Sequence, residues 1–226
     1  MSSTFRSVLF DLDGTLHDRH ATITRYLRSH VARFGHPEGF VQRFTALDDF
    51  GYRSKREVFE TLTREFNLPT STDELLQDYD AHGWDECRLM PYAHEVLDDL
   101  RAAGVRIGIV TNGWPGKQQA CLDALDLTRR ADAVIISKAV GVTKPHRDIY
   151  TLALDALDVS AHETLFVGDS PVNDVAGPQA AGLRAAYLPT GHTLPENVLP
   201  DFTLTDLRDV HSIVLGRTFM ARGVEV

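Results

Sequence analysis

The chain's 226 residues allow one domain or two small ones, and 43% hydrophobic side chains are ample for a packed core. Lys plus Arg number 23 against 32 Asp plus Glu, a formal net charge of −9 that disfavours a surface built for nucleic acid or anionic lipid, so a phosphate-bearing ligand needs a local positive site. Cys87 and Cys121 are far apart and lack CxxC spacing, which suits free thiols in a reducing cytosol, or small core residues, better than a disulfide framework or a zinc site. No run approaches the roughly 18 apolar residues that cross a bilayer. No apolar stretch of signal-peptide length precedes Asp11, so the expectation is a cytoplasmic protein with neither a membrane nor a nucleic-acid partner.

Val8-Leu9-Phe10 has the length and residue types of a buried strand, and it ends abruptly in Asp11 and Asp13, with Gly14 behind them. Alternation points both carboxylates the same way if the strand continues, whereas a turn at Gly14 splays them apart. From there to Leu89 the pattern is helical. Ile23, Tyr26, Leu27, Val31 and Phe34 predict a helix over 19–34, ended by Gly35-His36-Pro37. Phe40, Phe44 and Leu47 mark a second helix, and Val58, Phe59, Leu62 and Phe66 a third. Leu75, Leu76 and Tyr79 mark a fourth, with Ser71 or Thr72 placed to cap it. The stretch 17–89 reads as an inserted all-helical domain.

From Pro91 onward helix and strand alternate. Val96, Leu97 and Leu100 stripe a helix ending at Ala103-Gly104, and Val105 to Val110 is a strand that stops at Thr111-Asn112-Gly113. A helix with Cys121, Leu122 and Leu125, a strand from Ala133 to Ser137, and a helix carrying Ile149, Leu152, Ala153 and Leu157 after Lys144-Pro145 follow. Thr164-Leu165-Phe166-Val167 then runs into Gly168-Asp169-Ser170-Pro171-Val172-Asn173-Asp174. Arg184 to Leu188 is a last central strand, and Asp201 to Thr205 an edge strand. Right-handed crossovers between such strands give an α/β fold: a Rossmann-like parallel sheet with helices on both faces, built from 1–16 and 90–226.

Parallel strands gather their carboxyl ends at one edge of the sheet, where ligands bind in such folds. Asp11, Asp13, Thr111 to Gly113, Lys144 and Asp169 to Asp174 then share one crevice, and the helical insertion leaves from the same edge. Three carboxylates near one point, with no Cys and no obligatory His, describe an oxygen-ligand site for a hard cation, and Mg²⁺ is the usual choice beside a phosphate. Asp174 also suits a helix N-cap. Thr111 with the N–H groups of Asn112 and Gly113 presents donors at a strand-to-helix turn, which suits phosphate oxygens. Lys144, between Gly141-Val142-Thr143 and Pro145, is placed to pair with a carboxylate and a phosphate at once. Each feature has a plainer reading: a solvated Asp-Gly turn, a loop turning at Asn-Gly, a surface lysine.

Asp11-Leu12-Asp13-Gly14-Thr15, Thr111-Asn112-Gly113, Lys144-Pro145 and Gly168 to Asp174 resemble, in order and spacing, the four motifs of the haloacid dehalogenase-like hydrolase superfamily, over essentially the whole chain. The helical insertion looks like the small cap of the subfamily that includes phosphoglycolate phosphatases, nucleotide 5′-phosphatases and the namesake dehalogenases. Gly108 through Asp174 is most similar to the nucleotide and acylneuraminate phosphatases. The resemblance implies a Mg²⁺-dependent phosphatase that hydrolyses a small phosphate monoester, of nucleotide or sugar phosphate class. It implies Asp11 as the nucleophile that forms an aspartyl-phosphate, and Asp13 as general acid and then base. Mg²⁺ is then held by Asp11, Asp169 and the Asp13 backbone carbonyl, with Asp174 ligating through water or orienting a ligand. Thr111, Asn112, Gly113 and Lys144 bind the transferring phosphoryl group. Pro178 departs from the pattern, sitting inside the helix after Asp174, where a kink is expected. A monomer or homodimer is expected.

Two alternatives share these motifs. A phosphomutase needs its aspartyl-phosphate protected from water. A 2-haloacid dehalogenase, as the family implies, lacks the second Asp of the first motif and needs no Mg²⁺, whereas Asp13 and Asp169 are both present here. A regulatory binding module predicts loss of Asp11 or Asp13, and neither is lost. For the substrate, Arg53, Lys55 and Arg56, and His17 and His20 near the hinge, are candidates to touch an anion, and Tyr52 and Trp84 to stack on a base or sugar. The plainer reading, and the preferred one, is a solvated helix face or hinge for the charged residues and the core of the helical insertion for the two aromatics.

Overall fold

The computed structural model describes residues 5–216, which divide into two compact units: the chain up to Asp18 and from Leu89 onward, and Arg19–Arg88. The Arg19–Arg88 unit is helical, with α1 (Arg19–Phe34), α2 (Phe40–Asp48), α3 (Lys55–Phe66) and α4 (Thr72–His82). Their apolar stripes meet in one core of Ile23, Tyr26, Leu27, Phe40, Phe44, Val58, Phe59, Leu62, Leu75 and Tyr79. Ser71 caps α4 in a capping box, its hydroxyl accepting from the Glu74 N–H while the Glu74 carboxylate accepts from the Ser71 N–H. Buried Asp48 at the end of α2 takes Arg19 Nη1 at 2.7 Å and the Lys55 ammonium, so one carboxylate ties α1, α2 and α3 together. Beyond it Asp49, Phe50 and Gly51 all have positive φ, and the turn leaves Phe50 and Tyr52 exposed.

The other unit is built on a six-stranded sheet of β1 (Ser7–Phe10), β2 (Arg106–Thr111), β3 (Ala133–Ile136), β4 (Thr164–Gly168), β5 (Arg184–Tyr187) and β6 (Phe202–Thr203). The strand order is β3-β2-β1-β4-β5-β6, and every pairing is parallel. Around it run α5 (Ala93–Ala102), α6 (Pro115–Ala124), α7 (Ser137–Val140), α8 (Arg147–Leu157), α9 (Gly177–Ala180) and α10 (Arg208–Leu215). β1 and β4 are buried along their whole length, which is why they read as unbroken apolar runs and not as alternating ones. Leu9, Val110 and Phe166 of the sheet pack on Ile149, Tyr150 and Ala153 of α8, each large side chain contributing about 2 kcal/mol of burial.

The chain builds β2 and β3 on one side of β1 and then crosses to β4 on the other, so the order reverses between β1 and β4. Such a reversal opens a crevice at the carboxyl ends of the strands. Phe10 lies level with Ile109 of β2 and Val167 of β4, so Asp11 leaves β1 level with Val110 and Gly168, one residue before Thr111 and Asp169.

Three features differ from the expected elements. Two short helices lie outside the expected elements: α7, at four residues, is too short to show a period, and α10, which does carry Val210, Ile213 and Val214 at helical spacing, buries Val210 and Val214 and packs on α5. The first crossing into the helical unit falls after Asp18, because His17 is tied into the sheet unit by bridges to Asp13 and Leu89. Pro178 lies, as expected, inside a stretch whose backbone stays helical through Ala176 and Gly177, but the distortion is a widening ahead of it and not a sharp kink. Pro171–Ala176 forms a widened turn with π-type geometry, and α9 begins after it with Pro178 in its first turn, where the missing N–H costs nothing. Among the described residues no helix is long and apolar enough to cross a membrane.

Candidate active site

Asp11, Asp169, Asp174 and Lys144 converge at the reversal point. Lys144 Nζ lies 2.6 Å from Asp11 Oδ1 and 2.8 Å from Asp174 Oδ1, and its side chain is 2% exposed. Asn112 fixes the lysine backbone: its Nδ2 donates to the Lys144 carbonyl at 3.0 Å, and its Oδ1 accepts from the Lys144 N–H at 2.9 Å. Asp174 Oδ2 accepts from the Ser170 N–H at 2.9 Å. The cap of that turn is Ser170, whose hydroxyl accepts from the Asn173 N–H, so Asp174 supports the turn from inside and its other oxygen serves Lys144. Thr190 Oγ1 donates to Asp169 Oδ2 at 2.7 Å.

Two glycines let these acids approach. A Cβ on Gly14, whose φ is +87°, would lie 2.1 Å from Asp169 Oδ2, and a Cβ on Gly168 would lie 2.3 Å from the Asp174 Cβ.

One carboxylate oxygen from each of Asp11, Asp169 and Asp174 falls within 4.8 Å of the others, and all three residues are buried. Burial pushes the Asp11 carboxyl up to about 7, with Asp174 and Asp13 adding to the rise and Lys144 opposing it. Burial, then the Asp11 charge, pushes Asp169 to about 7 as well, and Asp174 is raised by burial and then by the Asp169 charge. Burial works against the Lys144 ammonium, but the carboxylates of Asp11 and Asp174 outweigh it and hold its pKa up. One ammonium facing three buried carboxylates leaves the cluster short of positive charge. The donor set is all oxygen, and it fits a hard divalent cation such as Mg²⁺.

Asp13 stands apart from that cluster. Its Oδ1 is 2.6 Å from His17 Nδ1, its Oδ2 accepts from Gln118 Nε2 at 3.0 Å, and its side chain keeps 22% exposure. Gly14 thus splays the two carboxylates of the first motif apart. His17 is fully buried, because the turn that bonds its N–H to Leu12 and its carbonyl to the Gly14 N–H folds the ring back onto Asp13. It touches the carboxylate and is not placed to meet a substrate anion. Thr111 Oγ1 accepts from Gln118 Nε2 at 2.8 Å. The Gly113 N–H donates to Ser137 Oγ at 3.0 Å, so that expected phosphate donor is taken by α7.

In the helical unit, Lys55 is committed to Asp48. Arg56 Nη1 meets Asp73 at 2.9 Å on the surface and Arg53 Nε is 3.8 Å from Glu57, while His20 is exposed. Sequence reasoning missed Gln118, Ser137, Ser170 and Thr190. Gln118 had a signal, a polar residue seven positions after Thr111 on a helix whose Cys121 and Leu122 are buried; Thr190 had none.

The profile of haloacid dehalogenase-like hydrolases matches residues 5–182. A glyceraldehyde 3-phosphate phosphatase from Pyrococcus abyssi is 31% identical over 194 residues, covering 81% of each chain. A ribulose-1,5-bisphosphate 5-phosphatase from Halopiger xanaduensis is 31% identical over 92% of this chain and 94% of its own. The magnesium-bound HAD-hydrolase YfnB from Bacillus subtilis shares the fold, with a TM-score of 0.82 at 23% identity over 92% of this chain and 98% of that one. With a match that runs from just ahead of β1 to just beyond the Asp174 turn, and relatives above 30% identity along most of its length, this chain is a member of the haloacid dehalogenase-like hydrolase family.

Proposed function

We propose that the protein is a Mg²⁺-dependent phosphatase for small phosphate monoesters, acting through an aspartyl-phosphate on Asp11. The observation that carries this reading is the division between two carboxylates two residues apart. Asp11 is buried against the Lys144 ammonium, which favours its charged form, while Asp13 is held apart on His17 and Gln118 with part of its surface open. Two environments for two neighbouring acids suit two roles, nucleophile and proton carrier. The relatives named for glyceraldehyde 3-phosphate and ribulose-1,5-bisphosphate favour the sugar phosphate side of a class that also includes nucleotides.

In this mechanism an Asp11 oxygen bonds to phosphorus as the bond to the leaving oxygen breaks, and Asp13 gives that oxygen its proton. Asp13, now a carboxylate, takes a proton from water as the water oxygen attacks phosphorus and the bond between phosphorus and the Asp11 oxygen breaks. Inorganic phosphate leaves and both aspartates return to their starting states. Thr111, the Asn112 N–H and Lys144 offset charge on the phosphoryl oxygens. Asp11, Asp169 and the Asp13 carbonyl would hold Mg²⁺, with Asp174 orienting them; when bound, the ion supplies the positive charge that keeps Asp11 ionised and balances the phosphoryl group. The Arg19–Arg88 unit takes the part of a substrate-selecting cap.

The test is a panel of sugar phosphates and nucleoside monophosphates assayed with Mg²⁺, then with EDTA. Hydrolysis that EDTA abolishes and added Mg²⁺ restores is the expected result. Metal-independent halide release from 2-haloacids, with no ester hydrolysed, would overturn the reading.

A further inference from the structure

Gln118 sits in the first turn of α6, 3% exposed, where a side-chain amide is costly unless its hydrogen-bonding groups are matched. Its Nε2 faces three oxygens: Thr111 Oγ1 at 2.8 Å, Asp13 Oδ2 at 3.0 Å and the Asn112 carbonyl at 3.1 Å. A carboxylate and a carbonyl can only accept, which fixes the amide with its nitrogen toward them. Gln118 therefore joins the turn after β1 to the turn after β2. It binds one oxygen of Asp13 while His17 Nδ1, at 2.6 Å, engages the other. A carboxyl held at one oxygen still pivots; one held at both from opposite sides has a single orientation.

We infer that Gln118 is a positioning residue that, with His17 as the second tether, aims the Asp13 carboxyl at the leaving-group oxygen of the substrate. This rests on Asp13 being the acid of the proposed phosphatase. The geometry adds a consequence for selectivity. An ester whose alcohol is a poor leaving group needs a well-placed proton, whereas a nitrophenoxide leaves without one. Misplacing a reacting group by about 1 Å costs on the order of 10²-fold, and that cost falls only on the first kind of ester.

The experiment compares kcat/KM for 4-nitrophenyl phosphate with kcat/KM for the best alkyl phosphate of the substrate panel, in wild type, Gln118→Met and Gln118→Ala. Met keeps the length of the side chain and removes the donor; Ala removes both. Because kcat/KM covers only the steps through phosphoryl transfer, the later attack of water does not enter. The ratio of the two esters on one preparation does not depend on how much of the sample is folded. For both variants the alkyl ester should lose about 10- to 100-fold and the nitrophenyl ester less than about threefold. Equal losses on both esters would mean that Gln118 only supports Thr111 or the fold, and no loss on either would mean that Asp13 needs no tether there; each result overturns the inference. Asp13→Asn, run in parallel, separates the two ideas. If it is selective for the alkyl ester and the Gln118 variants are not, the positioning role alone fails. If Asp13→Asn lowers both esters equally, the acid role itself is wrong.

Discussion

At the scale of single residues, Gly14 decides how closely two motifs approach. Its φ is positive, and a Cβ there would stand 2.1 Å from Asp169 Oδ2, which leaves no room for any side chain. Gly14→Ala should therefore cost about 1–3 kcal/mol of stability from backbone strain alone and shift Asp169 outward. Denaturant unfolding together with a phosphatase assay checks this, and a variant as stable and active as wild type would show that the turn has slack. The residues that meet at the reversal point are the ones whose apolar strands end in charge: Asp11 after Val8-Leu9-Phe10, Asp169 after Leu165-Phe166-Val167. Such endings are visible along the chain. Ser137 and Thr190 were not legible in the same way, because each acts on an atom from another element and nothing in its own neighbours marks it as polar and buried, while Gln118 showed only as a polar residue on the helix face that carries Cys121 and Leu122.

At the scale of elements, the helical unit depends on two buried polar clusters. Asp48 neutralises Arg19 and Lys55 from inside, and their two cations hold its carboxyl below the usual range despite burial. Asp48→Asn removes the buried carboxylate that both cations share and should cost about 3 kcal/mol, read as a lower midpoint in urea. The second cluster is pH-sensitive. His36 stacks on Phe40 at 3.9 Å and lies 4.9 Å from His30, which shares Asp78 with Tyr26 and Arg33. Burial, and then His30, push His36 from 6.5 down to about 4. The unfolded chain takes that proton near its ordinary pKa and the folded unit resists it, so stability is fully present above about 6.5 and is lost as the pH falls toward 4. His36→Phe keeps the stacking and removes the proton site, so the drop in melting temperature between pH 7 and pH 5 should shrink; an unchanged drop would place the acid sensitivity elsewhere. The elements themselves were legible where periodicity was long: α1 runs over the predicted 19–34, and β1, β2 and β4 are the apolar runs. The widened turn at Pro171–Ala176 was not, since its geometry follows from Asp174 reaching Lys144 and the Ser170 N–H together.

At the scale of the molecule, a chain with a formal charge of −9 sets three buried carboxylates against one lysine, and the proposed function puts the phosphoryl chemistry there. On that reading a divalent cation supplies the missing positive charge. EDTA should abolish turnover, Mg²⁺ should restore it, and Ca²⁺ should not, because its looser and larger coordination shell misplaces the carboxylates. Mg²⁺ should also raise the melting temperature, by an amount equivalent to about 2.7 kcal/mol at a hundred times its Kd. A protein equally stable and active with and without the ion would contradict the assignment of the acidic cluster. The central claim is narrower still: Asp11 forms the bond to phosphorus. It is tested most directly by the kcat of folded Asp11→Asn on the best phosphate monoester in saturating Mg²⁺. The account predicts a fall of about a thousandfold or more, roughly 4 kcal/mol of lost barrier reduction, and turnover within about tenfold of wild type would contradict it.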